Sequence, residues 1–246
     1  MGCFKMVTIF DVQIDNITKA DTLKKIFDFS DEGCNQISFV NADTLNKCYT
    51  DSELYQALDK SDLVCPDGSG VSLGAKLLQK RIQENVNGTD LFPLICEAAE
   101  RQGVSLYFLG GKRGVAERTK NEMVKKNPNL HVAGVRDGFF SLEEEASIIE
   151  DINRSGARIL FVGFGAPRQE IWISKNRHKL APNTAIGVGG LFDFYSGDIP
   201  RAPAWMRKLG IEWTYRLYQE PKRMWNRYLV GNPVFVFRVI HQKFLS

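Results

Sequence analysis

Asp67 stands as a lone carboxylate in the stretch VCPDGSGVSLGAKLL (64–78), in a Pro-Asp-Gly turn between a short apolar run and an amphipathic segment. An acid in such a turn bonds nearby backbone N–H groups and often caps the following helix. Four glycine-bearing loops follow strand-like runs: PDGSG (66–70), GGKRG (110–114), GFGAPRQE (163–170) and GVGGLFDF (187–194). Glycine lets backbone N–H groups approach a diphosphate closely, and a helix starting just beyond adds the positive end of its dipole. Any one of these loops is an ordinary tight turn; four at one sheet edge point to an anionic or nucleotide ligand. The segments LGGKRG and GFGAPR each lack one glycine of the dinucleotide fingerprint G-x-G-x-x-G, and G-x-x-x-x-G-K-[ST] does not occur. Two readings remain: a transferase that uses a nucleotide-activated donor, and a dinucleotide-binding oxidoreductase.

Metal chemistry finds little support. The nearest approach to a D-x-D triplet, Asp51-Ser52-Glu53, reads as the acidic first turn of a helix, and His131, His178 and His241 are scattered. Cys3, Cys34, Cys48, Cys65 and Cys96 are odd in number and form no C-x-x-C pair, which suits a reducing cytosol. No metal and no cofactor beyond a donor substrate is expected.

The elements that must position these groups alternate along the chain. Runs rich in β-branched and aromatic residues recur at VTIFDV (7–12), ISFV (37–40), LVC (63–65), VSLYFLG (104–110), LHVAGV (130–135), RILFVGF (158–164) and TAIGVGG (184–190). Between most of them lie helix-length amphipathic stretches such as DSELYQALDK, TDLFPLICEAAERQG, GVAERTKNEMVKK and SLEEEASIIEDINRSG. The last opens with Ser141 as N-cap and Glu144 three residues on, a capping-box pattern. Such alternation predicts an α/β fold, a Rossmann-like, mostly parallel sheet with helices on both faces. With 246 residues, 43% hydrophobic and 25% charged, the chain is long enough for a substantial core and ordinary for a globular protein. The start MGCFKMVTIFDVQID lacks a long apolar core, so no signal peptide is expected, and Met6 stands where a myristoylation motif wants Ser or Thr.

From Arg201 onward the pattern is purely helical, dividing the chain into an α/β domain over 1–200 and a helical appendage over 201–246. This tail has nine Lys and Arg against two Glu, a balance of +7, so a chain of net charge +3 carries −4 over residues 1–200. Pro221 and Pro233 fall where helices would begin, Gly210 and Gly231 where they would stop. Its last apolar run, about a dozen residues, would rise only about 18 Å as a helix against a hydrocarbon core of about 30 Å, too short to span a bilayer.

Taken together, NADTLNK (41–47), PDGSGV (66–71), NGTDL (87–91), FLGG (108–111), GFGAPRQE (163–170), GVGGLFDFYSG (187–197), RAPAWMRKLGIEW (201–213) and RLYQEPKRMWNRYLVGNP (216–233) resemble the WecG/TagA/CpsF family of bacterial glycosyltransferases over nearly the whole chain. The resemblance implies an inverting transfer of a sugar, N-acetylmannosamine or a related hexose, from a UDP-sugar to a polyprenyl-diphosphate-linked saccharide. The setting it implies is the inner face of the bacterial membrane, in the synthesis of teichoic acid, capsule or exopolysaccharide. Asp67 matches the family's proposed base. Gly110, Gly111, Gly163 and Gly165 are candidates for backbone contact with the UDP diphosphate; Gln169 and Asp193 for sugar or uridine; Asn41 for orienting the sugar; and Gly190 of the fourth loop for substrate contact. Members with N-acetylmannosamine activity often show Thr-Pro-Asn where this chain has Phe39-Val40-Asn41, and an Arg where it has Asn85, so glucose, N-acetylglucosamine and uronic acid donors stay open.

The basic, aromatic tail suits a membrane interface, where cations meet anionic headgroups. Arg216, Arg223 and Arg227 share one helical face if Pro221 bends the helix without breaking register. With Arg207 they are candidates for an anionic membrane surface or the acceptor diphosphate. No nucleic-acid motif accompanies them, and a homo-oligomer is compatible with the pattern.

Overall fold

The computed structural model describes residues 6–30 and 32–245; Cys3 and the rest of the Met-Gly-Cys start lie outside them. Among the described residues eight strands are formed, β1 Val7–Ile9, β2 Val12–Ile14, β3 Asn35–Val40, β4 Leu63–Pro66, β5 Leu106–Gly110, β6 Val132–Arg136, β7 Ile159–Gly163 and β8 Thr184–Gly187. The last six make one parallel sheet in the order β4-β3-β8-β7-β5-β6. The helices are α1 Lys19–Asp28, α2 Ala42–Cys48, α3 Ser52–Asp59, α4 Ser69–Leu77, α5 Gly88–Gln102, α6 Val115–Lys126, α7 Glu145–Arg154, α8 Arg168–Asn176, α9 Leu191–Tyr195, α10 Ala204–Lys208, α11 Glu212–Gln219, α12 Pro221–Trp225 and α13 Gly231–Leu245.

The sheet is covered on both faces, so its strands are apolar runs rather than alternating ones. One face packs Phe92 of α5 against Phe108, Phe161 and Phe192, with ring centroids 5.0–6.4 Å apart. The other packs Ile148 and Ile152 of α7 and Ile173 of α8 onto Leu109, Leu160 and Val162. This is the Rossmann-like layering that the alternation of elements predicts.

Three local expectations change. VTIFDV is not one strand of the sheet. Phe10 and Asp11 take positive φ (51° and 64°), and the chain doubles back into an antiparallel β1–β2 hairpin. The capping box at Ser141 forms only in part: the Ser141 N–H donates to Glu144 Oε2 at 2.9 Å, but residues 142–144 are turns and α7 starts at Glu145. Gly231 does not end a helix. A π-helical turn over Asn226–Val230 joins α12 to α13, which Gly231 opens.

Nor does the tail end clear of the body. Phe235 and Val239 of α13 are buried with the hairpin, α2 and α4, and a Cβ on Gly74 would lie 2.8 Å from the Phe235 ring. Among the described residues no helix is long and apolar enough to cross a membrane.

Candidate active site

Parallel pairing sets Val40 of β3 beside Pro66 of β4, so the next residues, Asn41 and Asp67, emerge together at the carboxyl edge of the sheet. The Asp67 N–H donates to Val40 O at 2.8 Å. Asn41 caps α2, its Oδ1 accepting from the Asp43 and Thr44 N–H groups at 3.1 Å each. That use of the amide oxygen leaves Nδ2 to donate to Asp67 Oδ2 at 3.3 Å. Gly68 adopts φ 89°, where a side chain would be strained, and its N–H donates to Asn85 Oδ1 at 2.6 Å. Asn85 thereby buttresses the turn that presents Asp67. Burial pushes the Asp67 carboxyl above the ordinary aspartate range; the Asn41 bond and the Arg227 and Arg216 charges oppose this, while Glu212 adds to it. A raised carboxylate is a better proton acceptor.

Asp67 lies on the boundary of two adjoining chambers. One, of ≈ 530 Å³, is bounded by the loops after β7 and β8, including Gly165, Gln169 and Gly187–Gly190. The other, of ≈ 460 Å³, is bounded by Leu73, Asn85, Arg207, Glu212, Trp213 and Tyr228. Both have the volume of a small-molecule site. Arg216 and Arg227 line both chambers, and Arg223 lines the first. The premise of one shared helical face fails. Glu220 leaves helical geometry (φ −127°, ψ 62°), so Arg216 lies on α11, Arg223 on α12 and Arg227 on the π-helical turn. They converge nonetheless, because the short helices fold back over the sheet edge. The Arg216 guanidinium sits 5.0 Å from the centre of the Phe194 ring, and Arg227 Nε lies 3.7 Å from Asp43 Oδ2.

The glycines divide. Gly165 and Gly190 line the first chamber; Gly110, Gly111 and Gly163 line neither. The Gly111 N–H is taken by Gly163 O at 3.1 Å, and a Cβ on Gly110 would lie 2.5 Å from that same oxygen. A Cβ on Gly111 would lie 2.9 Å from the Val115 side chain and one on Gly163 2.9 Å from Gly189 O, so close packing within the fold asks for glycine at each of the three. The Gly165 N–H is likewise taken, by Gln169 Oε1 at 3.1 Å. Gln169 is buried and its oxygen also accepts from the Gly189 N–H at 2.7 Å, tying two loops together. Asp193 stands behind Gly190, outside the lining residues, its carboxyl raised by burial and opposed by Arg223.

Residues 7–246 match the family described as Glycosyl transferase WecG/TagA/CpsF. The chain belongs to this family. It is 33% identical to the N-acetylglucosaminyldiphosphoundecaprenol N-acetyl-beta-D-mannosaminyltransferase of Bacillus subtilis (strain 168), over 84% of this chain and 79% of the relative. The protein of the same description from Bacillus spizizenii is 34% identical over 76% of this chain and 71% of its own length. Family membership decides between the two chemistries left open by the glycine loops in favour of glycosyl transfer.

Reading the sequence missed Asp43 and Lys47. Lys47 Nζ donates to Asp43 Oδ2 at 2.8 Å and to Ala166 O at 3.2 Å, bracing Arg227 from one side and the loop after β7 from the other. Their spacing of four on a helix is a pairing signal; what it would hold was not visible. Among the described residues no three His, Cys, Asp or Glu side chains gather where a metal ion would be held.

Proposed function

We propose that this glycosyltransferase moves a hexose, N-acetylmannosamine or a close relative, from a UDP-sugar to a hydroxyl of a polyprenyl-diphosphate-linked saccharide with inversion. The observation that carries this reading is the Asp67 carboxylate, held by Asn41 on the boundary of two chambers of suitable size. The chamber edged by Gly165 and Gly190 takes the donor, and the one edged by Asn85 and Trp213 takes the acceptor sugar. Asp67 accepts the proton of the acceptor hydroxyl as its oxygen attacks the anomeric carbon. The bond from that carbon to the diphosphate oxygen breaks, and UDP leaves with the electron pair. Arg216, Arg223 and Arg227 offset the charge that develops on it, a task charge-assisted hydrogen bonds perform well in a dry site. Names of the relatives support the acceptor class, and synthesis of a surface polymer such as teichoic acid at the cytoplasmic face is the corresponding cellular setting.

A panel of UDP-sugars with a synthetic lipid-diphosphate N-acetylglucosamine acceptor tests the reading. UDP release with one sugar, undiminished by EDTA, is the expected result. A strict requirement for Mg²⁺ or Mn²⁺ would remove the arginine account of leaving-group stabilisation. Nicotinamide turnover without UDP release would reopen the oxidoreductase.

Since the arginines face the chambers, the membrane contact falls to other residues. Val230, Val234, Phe237 and Phe244 recur at three- to four-residue helical steps or multiples of them and are exposed, Phe237 at 70% and Phe244 at 82%. Inserted in a bilayer interface, each Phe contributes on the order of 2 kcal/mol. Phe237→Ser with Phe244→Ser is expected to lower binding to anionic liposomes at least tenfold while UDP affinity holds. Unchanged liposome binding would assign this face to something other than a membrane.

A further inference from the structure

Glu170 is fully buried, next to Gln169 at the start of α8. Its Oε1 accepts from Gln169 Nε2 at 2.7 Å, and its Oε2 meets no hydrogen-bond partner among the described residues. A glutamine amide has one accepting and one donating end, and its surroundings decide which way it points. Here the accepting end holds two N–H groups from different loops, Gly165 at 3.1 Å and Gly189 at 2.7 Å. Turned over, the amide would leave both N–H groups facing a second donor, and an unmade bond at a buried donor is costly. The amide has little room to swing aside, because a Cβ on Gly187 would already lie 3.1 Å from Gln169 Nε2.

We propose that Glu170 is a positioning residue: its buried carboxyl fixes the direction of the Gln169 amide and so clamps the 163–167 and 187–190 loops that wall the donor chamber. This rests on the assignment of UDP to that chamber. A carboxyl suits the role because it presents an acceptor oxygen whether protonated or not. Burial pushes Glu170 up to about 7, so both forms occur near neutral pH and either one holds the amide.

UDP binding by calorimetry and donor kinetics on Glu170→Leu and Glu170→Gln test it. Glu170→Leu, checked for an intact unfolding transition, is expected to raise the Kd for UDP and the donor KM about tenfold with a smaller change in kcat. Glu170→Gln is expected to recover most of that loss, because its amide oxygen accepts the same bond. Should Glu170→Leu fail to fold, Glu170→Met decides, since its unbranched side chain keeps nearly the volume of glutamate without the carboxyl acceptor, and the expected loss of UDP affinity is similar. Wild-type UDP affinity in folded Glu170→Leu, or in Glu170→Met where that variant decides, overturns the role of Glu170 alone, as does Glu170→Gln binding as weakly as the apolar variant. Wild-type protein that binds no UDP overturns the donor assignment and this inference with it.

Discussion

Asp67→Asn is expected to lower kcat by about 10³-fold, in the range general-base removal produces, while UDP affinity stays within a few-fold of wild type. The amide keeps the size of the carboxylate and can still bond Asn41, so the turn at Gly68 and the fold should persist. What it lacks is the capacity to take a proton. Because burial raises the Asp67 carboxyl, the acid limb of the wild-type rate profile should lie above the ordinary aspartate range. Activity is then present above the raised value and lost as pH falls through it. Near-normal turnover of a folded Asp67→Asn protein would return Asp67 to the role of turn residue.

The second large effect belongs to the arginines. Arg216→Gln with Arg227→Gln is expected to weaken UDP binding about 10²-fold or more, since each charged hydrogen bond to a diphosphate is worth about 1.5–3 kcal/mol. Arg223→Gln alone should cost less, because that side chain is 56% exposed and already paired with Glu220 at 2.9 Å. Liposome binding of the double variant should change little. The opposite pattern, liposome binding lost with UDP affinity kept, would restore these cations to a membrane surface. Calorimetry with UDP and vesicle sedimentation on the same preparations separate the two.

The arginines also show where reading the sequence reached its limit. Their charge and clustering after Arg201 were plain, but the face they share was inferred from continuous helical register, and Glu220 interrupts that register. Asn41 was open between an Asx turn and a sugar contact; the structure has its oxygen capping α2 and its nitrogen on Asp67, so one residue does both local and site work. Gly110 and Gly163 carried the same signal in the sequence as Gly165 and Gly190, yet only the latter pair lines a chamber.

Local chemistry, which depends on neighbours a few residues away, was determined by the sequence alone. Apolar runs of strand length, amphipathic stretches between them, the glycine turns and the Pro-Asp-Gly placement of Asp67 follow from propensity and pattern. Strand order does not, because it is fixed by contacts between segments far apart in the chain. The order β4-β3-β8-β7-β5-β6 sets the loops after β3, β4, β7 and β8 around Asp67. It leaves the Gly110–Gly114 loop three strands from β3, roughly 14 Å away at about 4.8 Å per strand. The tertiary structure likewise decided that the basic tail folds back over the sheet edge, anchored by Phe235 in the core, so that cations remote in sequence meet one carboxylate.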